Sequence, residues 1–482
     1  MQQENTYELV SALFIKLLAV VYFIAFASLS GQIVALAGQD GILPITELLQ
    51  QANIQLGWKR FLAYPTIFWI NAGDTALTAA TWIGCAFSVL LFLNYKTRFS
   101  LVILYVLYLS LFYAGQIFMH FQWDFLLMEA GLLAIFLTPN SRVVIFLYRW
   151  LLFRLRFLSG ISKILSNDPG WAGLSALVFY FETQPLPHIG GWYAHQLPEW
   201  LLMLATAATL LIELVVPFMM FMARRYRFIA AWLTIALQIV IMLTSNHNWF
   251  NMLTIILCLF LFDDQAIRKV LPSSVSNWLI QKHPASTSSA TLRLSSYLLA
   301  AVIMIVSTIQ IWELATGRAI EGKAGTLLAY IQRWSLSNKY HVFPTVNQQR
   351  TELIIEGTAD GRIWSAYTFK YKPDALNKTL AVVIPHHPRL DWMLWFVPLH
   401  PEFTPWFENF LRTLLDNSPA VTAQLAYNPF TDSPPIAVRV HAFDYRFTNA
   451  DEREITGNWW RSRYLGPFTP APGLHRDDNL RR

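Results

Sequence analysis

The run LVSALFIKLLAVVYFIAFASL, residues 9–29, decides the class of fold. Its one charged residue is Lys16. A helix needs about 20 mostly apolar residues to cross the hydrocarbon core of a bilayer. Glu4 and Glu8 stand where a cleavable leader would be basic, and no small-residue cleavage site follows, so the run reads as a retained span. Eight more apolar runs follow, at residues 75–93, 99–118, 122–137, 143–165, 199–221, 228–243, 249–262 and 294–312. The expected fold is an α-helical polytopic membrane bundle of about nine spans, between five and nine depending on the short runs. Composition agrees: only 14% of the 482 residues are charged, against roughly 25% in soluble domains.

Short basic loops give the orientation. Lys96 and Arg98, Arg142 and Arg149, Arg224, Arg225 and Arg227, and Arg268, Lys269, Lys282 and Arg293 all fall on or near one side of a nine-span arrangement. That side is expected to be cytoplasmic and to hold the N-terminus. The net charge of +6 lies mostly in these loops, so nucleic acid is not an expected partner. The lipid bilayer is. Cys85 and Cys258 lie inside apolar runs, which excludes a CxxC redox site and makes a disulfide unexpected.

The expected domains are a transmembrane part (residues 1–316), an exoplasmic domain (317–466) and a disordered tail (467–482). Residues 272–291, rich in Ser and Pro, read as a flexible cytoplasmic linker. The second domain is expected to be soluble and β-containing, α+β or sandwich-like. Strands are expected at 352–357, 363–371, 381–384 and 436–443, with a turn at Ala359, Asp360 and Gly361. A helix is expected at 406–415, where Phe407, Phe410, Leu411 and Leu414 share a face.

Polar groups in apolar runs are costly, and therefore the first candidates for function. Lys163 has two readings: a desolvated base or carboxylate partner, or a lysine snorkelling to the interface. His120 and Asp124 are four apart and are expected to share a helix face. With Glu129 they form either a polar site with Lys163 or an arginine, or a structural ion pair. Glu213 precedes Pro217, which breaks the helix, as in a cavity wall or a packing kink. His188, His195 and His247 fit no metal signature, and no metal or cofactor is expected. A nucleophile elbow and a glycine-rich nucleotide loop are also missing. The aromatic, proline-rich loop 179–200 reads as a protein-contact surface or as a headgroup-level belt.

Several stretches, in order along the chain, resemble the lipase maturation factor family. They are GQDGILP (38–44), QWDFLLME (122–129), FRLRFLSGISK (153–163), YFETQPLP (180–187), the run from Trp192 through His195 to Pro198, Glu213 to Pro217, and Asp263 with Asp264. The second domain adds HPRLDW (387–392), Asn428 to Phe430, and Trp459 with Trp460. The resemblance implies a membrane-resident factor that helps secreted lipases fold and assemble on the exoplasmic side, chaperone-like rather than enzymatic. It points to a client-binding loop of Tyr180, Glu182, Gln184, Pro185, Pro187, Trp192, Tyr193 and His195, and to a second-domain motif of His387, Arg389, Asp391 and Trp392. With no retention tail after Leu480, a bacterial cytoplasmic membrane with a periplasmic client is expected; the alternative is the endoplasmic reticulum.

The membrane half is also similar to the transmembrane module of vitamin K-dependent γ-carboxylase, through SGISK (159–163) followed by Trp171. There the matching lysine is the base that deprotonates a reduced quinone. This resemblance implies an alternative function: a membrane enzyme, or a quinone- or lipid-binding protein, built around Lys163.

Overall fold

A computed structural model describes residues 6–138, 141–281, 289–469, 471 and 473–475. Nine main helical segments make the first half: α1 (Glu8–Ser30), α2 (Asp74–Phe92), α3 (Thr97–Ala114), α4 (Gln122–Phe136), α5 (Arg142–Leu165), α6 (Glu199–Leu214), α7 (Arg224–Thr244), α8 (Phe250–Leu257) and α9 (Ala290–Thr316). Five of them, α1, α2, α3, α7 and α9, are long and apolar enough to cross a membrane. Two bent pairs, each a broken span or a re-entrant loop, bring the number among the described residues to at most seven: Ile189–His195 with α6, and α8 with its continuation and Asp264–Val270. The result lies within the expected five to nine but below nine. The difference is physical. Helix α4 buries Asp124 and Glu129, and α5 buries Arg154, Arg156 and Lys163, so both are polar cores wrapped by other helices. Pro217 interrupts the sixth run as expected: α6 stops at Leu214 and a separate turn, Val216–Met219, follows.

Close approach of helices rests on glycine at two places. A Cβ on Gly131 of α4 would fall 1.7 Å from the Tyr22 hydroxyl of α1. One on Gly160 of α5 would fall 2.9 Å from Glu213 Cβ of α6.

The second half is built on an antiparallel sheet, with β1 (Arg350–Thr358) at its centre beside β3 (Ala437–Phe447). The order runs β2 (Ser365–Ala366), β1, β3, β4 (Trp460–Pro467), and β5 (Gly473–His475) pairs β3 next to β4. Arg350 pairs with Tyr445 and Thr358 with Ala437, so the whole of β1 is in register. Helix α11 (Thr404–Leu415) follows a shorter α10 (Arg389–Leu394). It buries Trp406, Phe407, Phe410, Leu411, Leu414 and Leu415, the face expected from their spacing.

Four expectations are corrected. Residues 381–384 form no strand: Ala381 O and Val383 N are taken by the side-chain amide of Asn246, at 2.9 and 2.8 Å. The strand expected at 363–371 is two fragments, Ser365–Ala366 and Thr368–Phe369, in different sheets. The tail expected to be disordered contains structure, because β5 pairs with β3 and Phe468 and Ala471 are buried; residues 470, 472 and 476–482 lie outside the described residues. The linker contains a helix, Ser273–Gln281, that buries Leu279, while its residues 282–288 lie outside the described residues.

The halves meet at one end of the bundle. Near the C-terminal end of α1, Gln32 Nε2 donates to His387 O (2.9 Å) and Gln32 Oε1 accepts from Arg389 N (2.8 Å). At its other end, Glu8 N and Val10 N donate to Asp264 at 2.9 and 3.0 Å. There Arg224 and Arg227 gather on Asp263, and Arg149 donates to Phe260 O. A helix of 23 residues separates the two ends by about 35 Å.

Candidate functional site: buried charge clusters and a cavity

Three buried charge clusters involve the acidic and basic side chains of α4, α5 and α6. In the first, Asp124 in the first turn of α4 receives a two-pronged bond from Arg389 of α10: Nη2 to Oδ1 at 2.8 Å and Nη1 to Oδ2 at 3.0 Å. Tyr108 Oη donates to the same carboxylate at 2.6 Å. Both charged side chains are almost wholly shielded, which makes this a fully desolvated pair. His120 is not part of it. It precedes α4 and lies against the Phe112 ring, with centroids 4.5 Å apart, so the expected His120–Asp124 pairing is not formed.

In the second, Glu129 pairs with Arg154 of α5. Its other oxygen accepts from Tyr340 Oη (2.9 Å) and from the backbone and side-chain N–H of Asn338 (3.2 Å each). An irregular segment of the second half thus enters the bundle to complete the shell. The third cluster contains Lys163. Glu213 takes Lys163 Nζ at 2.8 Å on one oxygen and Arg156 Nη2 at 2.9 Å on the other. Lys163 also donates to Val342 O (2.7 Å) and Ser159 O (3.2 Å). Two carbonyls and one carboxylate surround the Lys163 ammonium, a setting that suits the protonated form. Lys163 does not snorkel to solvent, and its carboxylate is Glu213 rather than Asp124 or Glu129.

Around this third cluster lies a cavity of about 340 Å³ between α5, α6 and α7, lined also by Trp171, Tyr180, Gln238 and His247. Asp124, Glu129 and His120 do not line it.

The loop expected to meet a client is mostly enclosed. Glu182, Gln184, Pro185, Pro187 and Trp192 are buried. Glu182 accepts from Arg446 Nη1 (2.8 Å) and Phe447 N (3.0 Å) of β3, and His195 lies 3.9 Å from it. Arg350 of β1 donates to the carbonyls of Glu182, Gln184 and Pro185. Trp192 Nε1 donates to Thr448 O (3.1 Å), and Tyr180 Oη contacts His247 Nε2 (2.6 Å). Tyr193 and Leu197 face outward, at 59% and 44% exposure. The loop is the socket of the sheet domain, and its accessible part is its far end.

The HPRLDW motif is buried as well. Asp391 Oδ1 accepts from Tyr371 N and Lys372 N (2.8 and 2.9 Å) and so fixes the chain after β2. Trp392 and His387 pack with Phe121 and Trp123, His387 lying 4.7 Å from Trp123 and 5.3 Å from Trp392 by centroid. Neither ring nitrogen of His387 has a hydrogen-bond partner among the described residues. Burial, with the Arg389 charge, pushes its pKa well below the ordinary histidine range.

Sequence reasoning missed Arg154, Arg156, Arg350 and Gln238. The signal for the two α5 arginines was present: each stands inside an apolar run, where a charge must find a partner. Gln238 carries the same signal more weakly, as an uncharged polar residue inside the run 228–243, whereas for Arg350 no local signal distinguishes it from a surface residue.

These features define an integral membrane protein, a helical bundle capped at one end by a sheet domain. Residues 9–269 match the lipase maturation factor transmembrane domain and residues 336–470 the lipase maturation factor C-terminal domain. The chain is 31% identical to lipase maturation factor 2 of Xenopus tropicalis, covering 94% of this chain and 80% of that protein. It is 30% identical to human lipase maturation factor 2 (96% and 82%) and 30% identical to bovine lipase maturation factor 1 (98% and 90%). The chain belongs to the lipase maturation factor family. No solved structure matches it.

Proposed function

We propose that this protein assists the folding and assembly of a secreted lipase at the exoplasmic face of its membrane. Family membership supports the lipase client, as the relatives are named for lipase maturation. The observation that carries the sidedness is the separation of the two ends of α1. One end gathers Arg149, Arg224 and Arg227 around Asp263 and the chain carbonyls. The other receives the sheet domain through Gln32 and Asp124. Basic residues mark the cytoplasmic side, so the sheet domain faces outward: the periplasm in a bacterial cytoplasmic membrane, or the lumen in an endoplasmic reticulum membrane.

Client contact falls to outward-facing groups of the composite surface. The exposed end of the loop, Tyr193 and Leu197, adjoins the sheet domain through Gln196, whose amide donates to Thr448 O at 3.3 Å. A scaffold held rigidly beside such groups can cover client surface until its own partner packs there. The test places a photo-crosslinking residue at Tyr193 in the full chain and traps the newly exported lipase. Crosslinks to lipase that is not yet active support the reading. Lipase of full specific activity in cells lacking this protein would overturn it.

A further inference from the structure

The cavity beside Lys163 has an unbalanced charge. Its lining carries two cations, Arg156 and Lys163, and one carboxylate, Glu213. The other ionisable groups there do not offset the excess. Burial pushes His247 down to about 4, so its ring is neutral, and the Tyr180 hydroxyl is engaged with that ring. A net positive charge out of water is costly unless an anion joins it.

Two further observations point to a ligand. Gln238 of α7 is wholly buried and lines the cavity, yet neither atom of its amide has a hydrogen-bond partner among the described residues. Arg156 Nε is buried and unpartnered as well. Buried polar groups in native proteins are rarely left unsatisfied. The rest of the wall is apolar and comes from α6 and α7, with Ala205, Ala208, Ile212, Ala236, Val240 and Ile241 among it. Ala208, Ala236 and Val240 are exposed on the faces of helices α6 and α7, so the cavity opens sideways between them, and α7 is long and apolar enough to cross a membrane. Its volume of about 340 Å³ is at the small end of ligand sites, which run from roughly 300 to 1,000 Å³.

We propose that this cavity binds a lipid acyl chain bearing an anionic head group. The chain lies between α6 and α7, and the carboxylate or phosphate head takes up the uncompensated charge of Arg156 and Lys163, with Gln238 donating its amide N–H. Such a site would let the factor sense the acyl products or anionic lipids around a lipase at work. The proposal stands apart from the client reading, since a lipid site exists or not whichever protein is matured.

The test uses full-length protein in a neutral detergent and measures binding of a radiolabelled palmitate. Competitors are unlabelled palmitate, lysophosphatidate, and the neutral analogue monopalmitoylglycerol. Saturable binding, displaced by palmitate or lysophosphatidate but about tenfold less well by the neutral analogue, is the expected result. The stronger competitor of the two anions identifies the preferred head group, carboxylate for palmitate or phosphate for lysophosphatidate. The double variant A208W/A236W fills the lipid-facing mouth and should lower affinity about tenfold or more while the protein stays monodisperse. Gln238→Leu should weaken the anions more than the neutral analogue. Equal competition by monopalmitoylglycerol, undiminished binding in the filled variant, or no saturable binding would each overturn the proposal.

Discussion

Arg389 and Asp124, 265 positions apart in the chain, form a two-pronged ion pair in which neither side chain reaches solvent. The pair joins α10 of the sheet domain to the first turn of α4 in the bundle. Nη1 of Arg389 also donates to Phe118 O at 2.6 Å, so its guanidinium holds two bundle elements at once. The membrane half and the sheet domain are therefore packed as one unit at this end.

Breaking that pair from one side is expected to be severe. Arg389→Leu leaves a buried carboxylate with only Tyr108 as side-chain partner. Loss of one member of a buried pair costs about 3–5 kcal/mol. The double variant D124L/R389M removes both charges and should recover much of that loss. Thermal unfolding in detergent, read on the parent and both variants, checks this. Equal destabilisation by the single and double variants would contradict a charge-pair role.

Lys163 should behave more mildly. In Lys163→Met, Glu213 keeps Arg156 at 2.9 Å. The remaining carboxylate is still paired, so the loss is expected at about 1.5–3 kcal/mol, the range for a hydrogen bond to a charged group. If this variant folds with near-normal stability but abolishes lipase maturation outright, Lys163 acts chemically and not only as a partner of Glu213.

His387 makes the fold acid-sensitive. Its pKa in the folded protein is lowered, so the unfolded chain binds the proton first. Its contribution to stability is present above the unfolded pKa of about 6.5 and is lost as pH falls below it, by up to about 1.4 kcal/mol per pH unit. His387→Phe keeps a ring among Phe121, Trp123 and Trp392. It should flatten the stability profile between pH 6.5 and 5, and an unchanged acid slope would rule out His387 as its source.

Gly131→Leu tests the packing of α4 on α1. Even a Cβ there would overlap the Tyr22 hydroxyl, 1.7 Å away. Overpacking a well-filled core costs about 1–3 kcal/mol, and Tyr22→Phe in the same chain should recover part of it. A variant as stable as the parent would mean that the two helices are free to separate.

The bundle was legible because lipid imposes a one-dimensional rule: an apolar run of sufficient length is a span. The sheet was legible where side chains alternate, as in β1 and β3. It failed at 381–384, because Asn246, far away in sequence, supplies the hydrogen bonds that a neighbouring strand would have given. Charged residues in the runs announced themselves by their cost, but not their partners. Asp124 reads naturally with His120 four residues earlier, yet Arg389 holds it. The loop around Glu182 looked like a contact surface for the same reason that it is a good socket: rings and prolines make rigid surface, and sequence does not say which protein surface covers them.

We propose that this membrane-anchored assembly matures a secreted lipase on its outer face. The most direct test of this proposal is the specific activity of the exported lipase, measured per lipase molecule, in cells that lack this protein and in cells that regain it. Normal amounts of inactive or unassembled lipase are expected in its absence, with activity restored by the parent chain and not by Arg389→Leu. Lipase of equal specific activity with and without the protein would contradict it.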